Sequence, residues 1–278
     1  MIPLYPVPQI MQLVATVPNA LWGIERLNRG YGGPTVNVRR ASDNAAADCR
    51  SQEEIATLCA GTNGFVQTAY DQSGNGRDQS NATLAAQPKV YDSATGIVRS
   101  GATPLMQFDG VDDVLGRIDQ CGINSVASPG LTTALMLGAW TNTGVTAWSL
   151  GPDNPGPPNS WYQGHSASTT TFLSFRTGSR SFTCSDPSLA RGYFVARKAL
   201  NADASTIDLR QNKSTLTQTA TVAGPMALEA GGATRVAAAV TAAQWAACTI
   251  GMLGHWQAQL SGAELDALEQ VLERMRLQ

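Results

Sequence analysis

The chain has 278 residues, a formal net charge of −2 and only 14% charged residues. That length suits one large β domain or two small ones, with a sizeable buried core. The near-neutral balance supplies neither an electrostatic footprint for nucleic acid nor a basic patch for an anionic membrane. No stretch reaches the ~18 apolar residues of a transmembrane helix. Gly, Ala, Ser and Thr are abundant, as in chains of many short strands and turns. The five cysteines, Cys49, Cys59, Cys121, Cys184 and Cys248, form no C-x-x-C pair, so a structural zinc site has no support. Cys49 and Cys59 can close a short loop or stay as two free thiols; their spacing does not choose.

Residues 1–19 carry Pro3, Pro6, Pro8 and Pro18, which deny a regular helix. They have no basic n-region and no long apolar run, so no secretory signal is expected there. Leu4, Tyr5, Val7 and Ile10 make the segment an apolar extended arm. Such an arm packs either on its own domain or on a neighbouring subunit. The domain proper is expected over residues 20–278. Leu21, Ile24 and Leu27 stand at helical spacing before Gly30, which predicts a short helix over 20–31. Residues 35–40 alternate as a strand. Ser51 with Glu54 three residues on predicts a capped helix over 51–60.

The stretch 66–77, V-Q-T-A-Y-D-Q-S-G-N-G-R, reads as a strand running into a tight turn. Asp71 offers an acceptor to the turn amides, while Gly74, Asn75 and Gly76 tolerate positive φ. The stretch is a structural turn locked by Asp71, or a metal or sugar site built on Asp71 and Asn75. Strands follow at 131–140, 171–176, 193–197, 206–210 and 246–257, with a hairpin turn at 211–213. Many short strands separated by turn signals mean a sandwich or barrel. Ser261 and Glu264 form a capping box for a last helix with an apolar stripe at Leu265, Leu268, Val271 and Leu272.

Three pieces, in this order and spacing, carry a resemblance: Ile24-Glu25-Arg26-Leu27, V-R-R-A-S-D-N at 38–44, and Y-D-Q-S-G-N-G at 70–76. Together they resemble the catalytic domain of the α-L-arabinofuranosidases of glycoside hydrolase family 54. F-D-G-V-D-D-V-L at 108–115 is similar to a strand pair of laminin-G-like sandwiches. The resemblance implies a concanavalin A-like antiparallel β-sandwich, a jelly roll, with short helices near the N-terminus and one at the C-terminus.

Retaining glycosidases need two carboxyl groups about 5 Å apart. The resemblance implies a glutamate nucleophile in a mid-domain strand, where 148–165 offers Gln163, and an aspartate acid/base in a G-G-D-N run, where L-E-A-G-G-A-T-R at 228–235 places Ala233. Amide and methyl groups cannot do that proton chemistry, so a non-catalytic protein is expected. Glu229 with Asp153 is the pair that would restore an active arabinofuranosidase. There is no G-x-S-x-G, P-loop or dinucleotide fingerprint. His255 beside Trp256 is expected in the core and His165 in a polar loop.

What remains is binding. Trp161, Tyr162, Gln163 and Asn159 flank a proline-rich loop and combine flat rings with amide groups, the pairing that sugars stack on and hydrogen-bond to. Trp140 and Trp148, close by in sequence, suit the core. Asp109, Asp112 and Asp113 are either a hard-oxygen site for Ca²⁺ or a solvated turn. No other metal or cofactor is expected. The resulting expectation is a structural or adhesive virion component of the bacteriophage type (tail fibre, spike or head decoration). Its arm would join it to other subunits, itself included as a homo-oligomer, and its glycan-binding face would meet cell-surface sugars. A free carbohydrate-binding module is the alternative.

Overall fold

The computed structural model describes residues 10–119, 121–122, 130–140, 145–151, 160–165, 171–176, 182–184, 192–199, 208–216, 218–220, 233–238 and 245–277. In chain order the elements are α1 (Ile10–Leu13), β1 (Ala20–Gly23), β2 (Val36–Arg40), β3 (Ala46–Cys49), α2 (Gln52–Leu58), β4 (Gly64–Ala69), β5 (Gln79–Ser80), β6 (Lys89–Asp92), β7 (Gly96–Ile97), β8 (Arg99–Ser100), β9 (Thr103–Pro104), β10 (Met106–Asp109) and β11 (Leu115–Arg117). They continue with β12 (Gly130–Trp140), β13 (Val145–Gly151), β14 (Ser160–His165), β15 (Thr171–Arg176), β16 (Phe182–Cys184), β17 (Gly192–Ala199), β18 (Asp208–Gln211), β19 (Ser214–Thr215), β20 (Gln218–Ala220), β21 (Ala233–Val236), β22 (Ala247–Trp256) and α3 (Gly262–Leu277).

The pairings between strands are antiparallel, and the fold is the β-sandwich that the strand-and-turn pattern predicted. One run of neighbours is β18–β17–β12–β22, with β1 and β10 sharing the far side of β22. A second run is β5–β11–β21–β13–β14–β15. The two are joined through β4, which pairs with β5 and β6. β12 pairs on both sides, as its near-continuous apolar sequence requires.

Two apolar clusters result. Trp22, Val36, Val38, Val66, Phe108, Leu115, Leu135 and Ile250 belong to the core cluster around these strands. Leu21, Met136, Tyr193, Val195 and Trp256 join Leu265, Leu268, Val271 and Leu272 of α3 in the other. Burying each leucine of that helix stabilises the docked layer by roughly 1.5–3 kcal/mol. The capping box is formed: Ser261 N donates to Glu264 Oε2 at 3.0 Å, and Glu264 N donates to Ser261 Oγ at 3.3 Å.

The helix expected over 20–31 is instead strand β1 followed by irregular chain. Its residues divide between both clusters, Ala20, Trp22 and Ile24 facing one and Leu21 and Leu27 the other. A strand buried on both faces has no polar side, so its apolar residues also match a helical template. Pairing with β22 and hydrogen bonds from distant side chains override the local signal. Gln72 supplies several of these: its Oε1 accepts from Leu27 N at 2.7 Å, and its Nε2 donates to Gly23 O and Glu25 O at 2.9 Å.

Ile10 and Val14 are buried in the cluster under α3. Thr16 donates from N and Oγ1 to Glu264 Oε1 at 2.8 and 2.6 Å, and Trp256 Nε1 donates to Thr16 O at 3.0 Å. From Ile10 onward the arm therefore lies on its own domain. Leu4, Tyr5 and Val7 lie outside the described residues.

Candidate functional site

The Asp71 turn is a structural lock. Asp71, 2% exposed, accepts from Leu21 N (2.9 Å), Ser73 N (2.9 Å), Ser73 Oγ (2.7 Å) and Arg77 N (3.0 Å). Asn75 Nδ2 donates to Pro18 O and Asn19 O at 3.2 and 3.0 Å. Gly74 and Gly76 take φ of +90° and +66°. The carboxylate is engaged by its own turn and by β1. The other motifs that carry the resemblance are scaffold as well. Arg39 donates to Gln87, Asn44 and Leu84 O at 2.7–2.9 Å and lies 4.9 Å over the Phe65 ring.

Downstream of that turn the sheet opens into a depression of about 430 Å³, lined by Ser80, Asn81, Val114, Gly116, Arg117, Ile118, Ala233 and Arg235. β11 sits between β5 and β21, and Gly116 is the register partner of both Ser80 and Arg235. Gly116 is part of the lining and brings no side chain to it. Arg117 spans back to the turn, its Nε donating to Asp119 Oδ1 at 2.6 Å and its Nη1 to Gly76 O at 3.0 Å. Asn81 is a pillar of the wall: its Nδ2 donates to Ala86 O and Val114 O at 2.7 and 2.9 Å. Ile118 is 95% exposed on the rim.

Ala233, the position at which the resemblance places the acid/base, lies in this wall. Gln163, which the 148–165 region offers where the resemblance expects the nucleophile, stands in β14, two strands away through β13; Ala233 pairs with Gly151 and Gln163 with Trp148. Tyr162 is the register partner of Ser149, which pairs with Arg235. Trp161 pairs with Leu150, which pairs with Thr234. The structure thus puts the 161–163 segment in the same run of strands as the depression. Asn159, Asp153 and Glu229 lie outside the described residues. His165 ends β14 and pairs with Val145 and Thr171, which corrects the loop expected there. Sequence reasoning missed Arg117, Arg235, Ser80 and Ile118. They come from three strands far apart in the chain, and no local motif links them.

The titratable groups elsewhere suit a core. His255 is fully buried, edge-on to Trp22 at 5.2 Å, and burial pushes its imidazole down to about 3. Cys49, Cys59, Cys121 and Cys248 are buried free thiols, and burial holds Cys49 and Cys121 up at about 12, far from nucleophilic thiolates. The carboxylates of Asp109, Asp112 and Asp113 converge within 4.8 Å of one another. Burial, with the two neighbouring charges adding to it, pushes Asp113 up to about 7. Asp113 Oδ2 accepts from Asp109 N at 3.0 Å, and Asp109 Oδ1 accepts from Val111 N at 2.8 Å, so two of the oxygens serve the turn. Among the described residues no helix is long and apolar enough to cross a membrane.

A β-sandwich with an open hollow on one of its strand runs is the class these observations define. Solved structures of similar fold include a GH54 α-L-arabinofuranosidase soaked with a cyclic sulfate inhibitor (TM-score 0.65, 13% identity). Another is an arabinofuranosidase complexed with arabinofuranosyl-α-1,2-xylobiose (TM-score 0.64, 14% identity). In both cases 96% of this chain is covered against 64% of the other, so the chain spans just under two thirds of those enzymes. No family model and no curated protein matches the sequence.

Proposed function

We propose that the chain is a non-catalytic, carbohydrate-binding β-sandwich that serves as a structural or adhesive protein. The observation that carries this reading is the depression at Ala233, on a fold that resembles arabinofuranosidases along 96% of the chain. Among the described residues its lining offers hydroxyl, amide, guanidinium and apolar surface. In this reading the binding face extends from the hollow across β13 to β14, the strand that carries Trp161, Tyr162 and Gln163. Hydrolysis is absent in this reading, because the resemblance puts Ala233 at the acid/base position and finds no glutamate in the 148–165 region where it expects the nucleophile. The apolar sequence of residues 1–9 supplies the tie to neighbouring subunits, and a virion surface meeting cell-surface glycans is the setting. The test is titration with arabinose-containing oligosaccharides, with release of free sugar followed in the same samples. Saturable binding at millimolar affinity or better without release supports the proposal. Steady release of arabinose, abolished by Glu229→Gln, would replace it with the enzyme reading.

A further inference from the structure

We infer that the seam between α3 and strands β17 and β18 is a binding site for one internal water molecule, held by Tyr193 Oη, Glu269 Oε1 and Arg210 Nε. The strand register puts the two sheet residues on one face. Arg210 is the partner of Val195, and Tyr193 stands two residues before Val195 in β17. Side chains two apart in a strand point the same way, as do those of register partners. Tyr193 and Val195 pack in the cluster that holds Leu265, Leu268 and Leu272, so this is the face that α3 covers. Glu269 closes the seam from the helix side. It is 1% exposed, and its Oε2 lies 3.2 Å from Arg210 Nη1. Burial, with the Glu269 charge next in weight, pushes the Tyr193 phenol up, the mark of a carboxylate close to that hydroxyl.

The ion pair leaves part of its capacity unused. Tyr193 Oη, Glu269 Oε1 and Arg210 Nε are buried, and none has a hydrogen-bond partner among the described residues. The neighbouring polar groups are taken. Arg210 Nη2 donates to Lys213 O at 3.1 Å, Arg210 Nη1 also lies 3.8 Å from Asp266, and Glu273 is paired with Arg276. A guanidinium N–H, a carboxylate oxygen and a hydroxyl that plays either role form a complementary set. One water accepts from Arg210 Nε, donates to Glu269 Oε1 and bonds Tyr193 Oη, which makes about three hydrogen bonds, the usual number for a buried water. A cation does not suit the place, because Arg210 already brings positive charge. An apolar molecule would leave all three atoms unpaired. The Arg210 side chain is 21% exposed, which gives the water its way in. The water completes the polar attachment of α3 inside an otherwise apolar seam.

The experiment compares the full chain with its Tyr193→Phe variant, by crystal structure and by urea unfolding. The expected structure has a water within about 2.7–3.2 Å of at least two of the three atoms. The expected variant keeps the fold, and its folding equilibrium constant falls about two- to tenfold, the loss of one net hydrogen bond. A hydroxyl with nothing to bond is better replaced by hydrogen, so an unchanged or higher constant in Tyr193→Phe would overturn the site. A structure in which Tyr193 Oη bonds Glu269 Oε1 directly, or in which no water reaches two of the three atoms, would overturn it as well.

Discussion

Asp71→Ala tests whether one carboxylate ties β1 to the turn after β4. The substitution removes the acceptor of three backbone N–H groups, those of Leu21, Ser73 and Arg77, and of the Ser73 hydroxyl. The Leu21 N–H is buried within the sheet and has no water to turn to. A buried donor left unsatisfied costs about 1–3 kcal/mol, and bonds to a charged acceptor lie at the upper end. Three donors, two of them part-buried, give a loss of about 3–6 kcal/mol. Against a typical total of ~5–15 kcal/mol, that is a large share of the fold's stability. Urea unfolding monitored by tryptophan fluorescence measures it, since Trp22 lies in β1. Asp71→Asn keeps one acceptor oxygen and is expected to lose about half as much. Ser73→Ala, which removes one hydroxyl, is expected to cost about 1 kcal/mol or less. A loss below about 1 kcal/mol for Asp71→Ala would refute the lock and reopen the ligand reading of this turn.

Other predictions follow from the same geometry. The Asp113 carboxyl is held at about 7, above its unfolded value, so it favours the folded state in its protonated form. That contribution, up to about 4 kcal/mol, is complete below pH ~4 and is lost as pH rises towards 7; Asp113→Asn should flatten the stability profile over that window. Ca²⁺ is expected to leave the melting temperature unchanged, because turn amides already take oxygens of Asp109 and Asp113; a rise reversed by chelator would establish a metal site. His255 has the opposite sign. Its depressed value means that stability is full above pH ~6.5 and falls as pH drops towards 3, and its imidazole resonances should not titrate between pH 5 and 8. Gly110→Ala should cost several kcal/mol by thermal unfolding, since φ is +80° there and a Cβ would lie 2.9 Å from the Ala247 backbone nitrogen. Finally, removing residues 1–9 should lower the solution mass to that of a monomer, whereas removing residues 1–19 should also destabilise the domain by stripping Ile10, Val14 and Thr16 from α3.

What the sequence revealed depended on how local the governing physics is. The α3 capping box, the α2 cap at Ser51 and the positive-φ turn at Asn212 and Lys213 are set by neighbours within four residues, and each was legible. The Asp71 lock was half legible: the turn chemistry showed, but its bond to Leu21, fifty residues away, did not. β1 was misread because its two buried faces erase the alternation that marks a strand. The hollow at Gly116 was invisible for a related reason. Its walls come from β5, β11 and β21, and only the register of those strands brings Ser80, Arg117 and Arg235 together. Ala233 was noticed for what it lacks, and the structure gives it a place beside those arginines.

The most direct test of the account is a broad glycan array probed with the full chain and, in parallel, with the Gly116→Leu variant. The account predicts retention on a defined set of glycans and loss of that signal in the variant. No retention on any glycan, or the same pattern from both proteins, would contradict it.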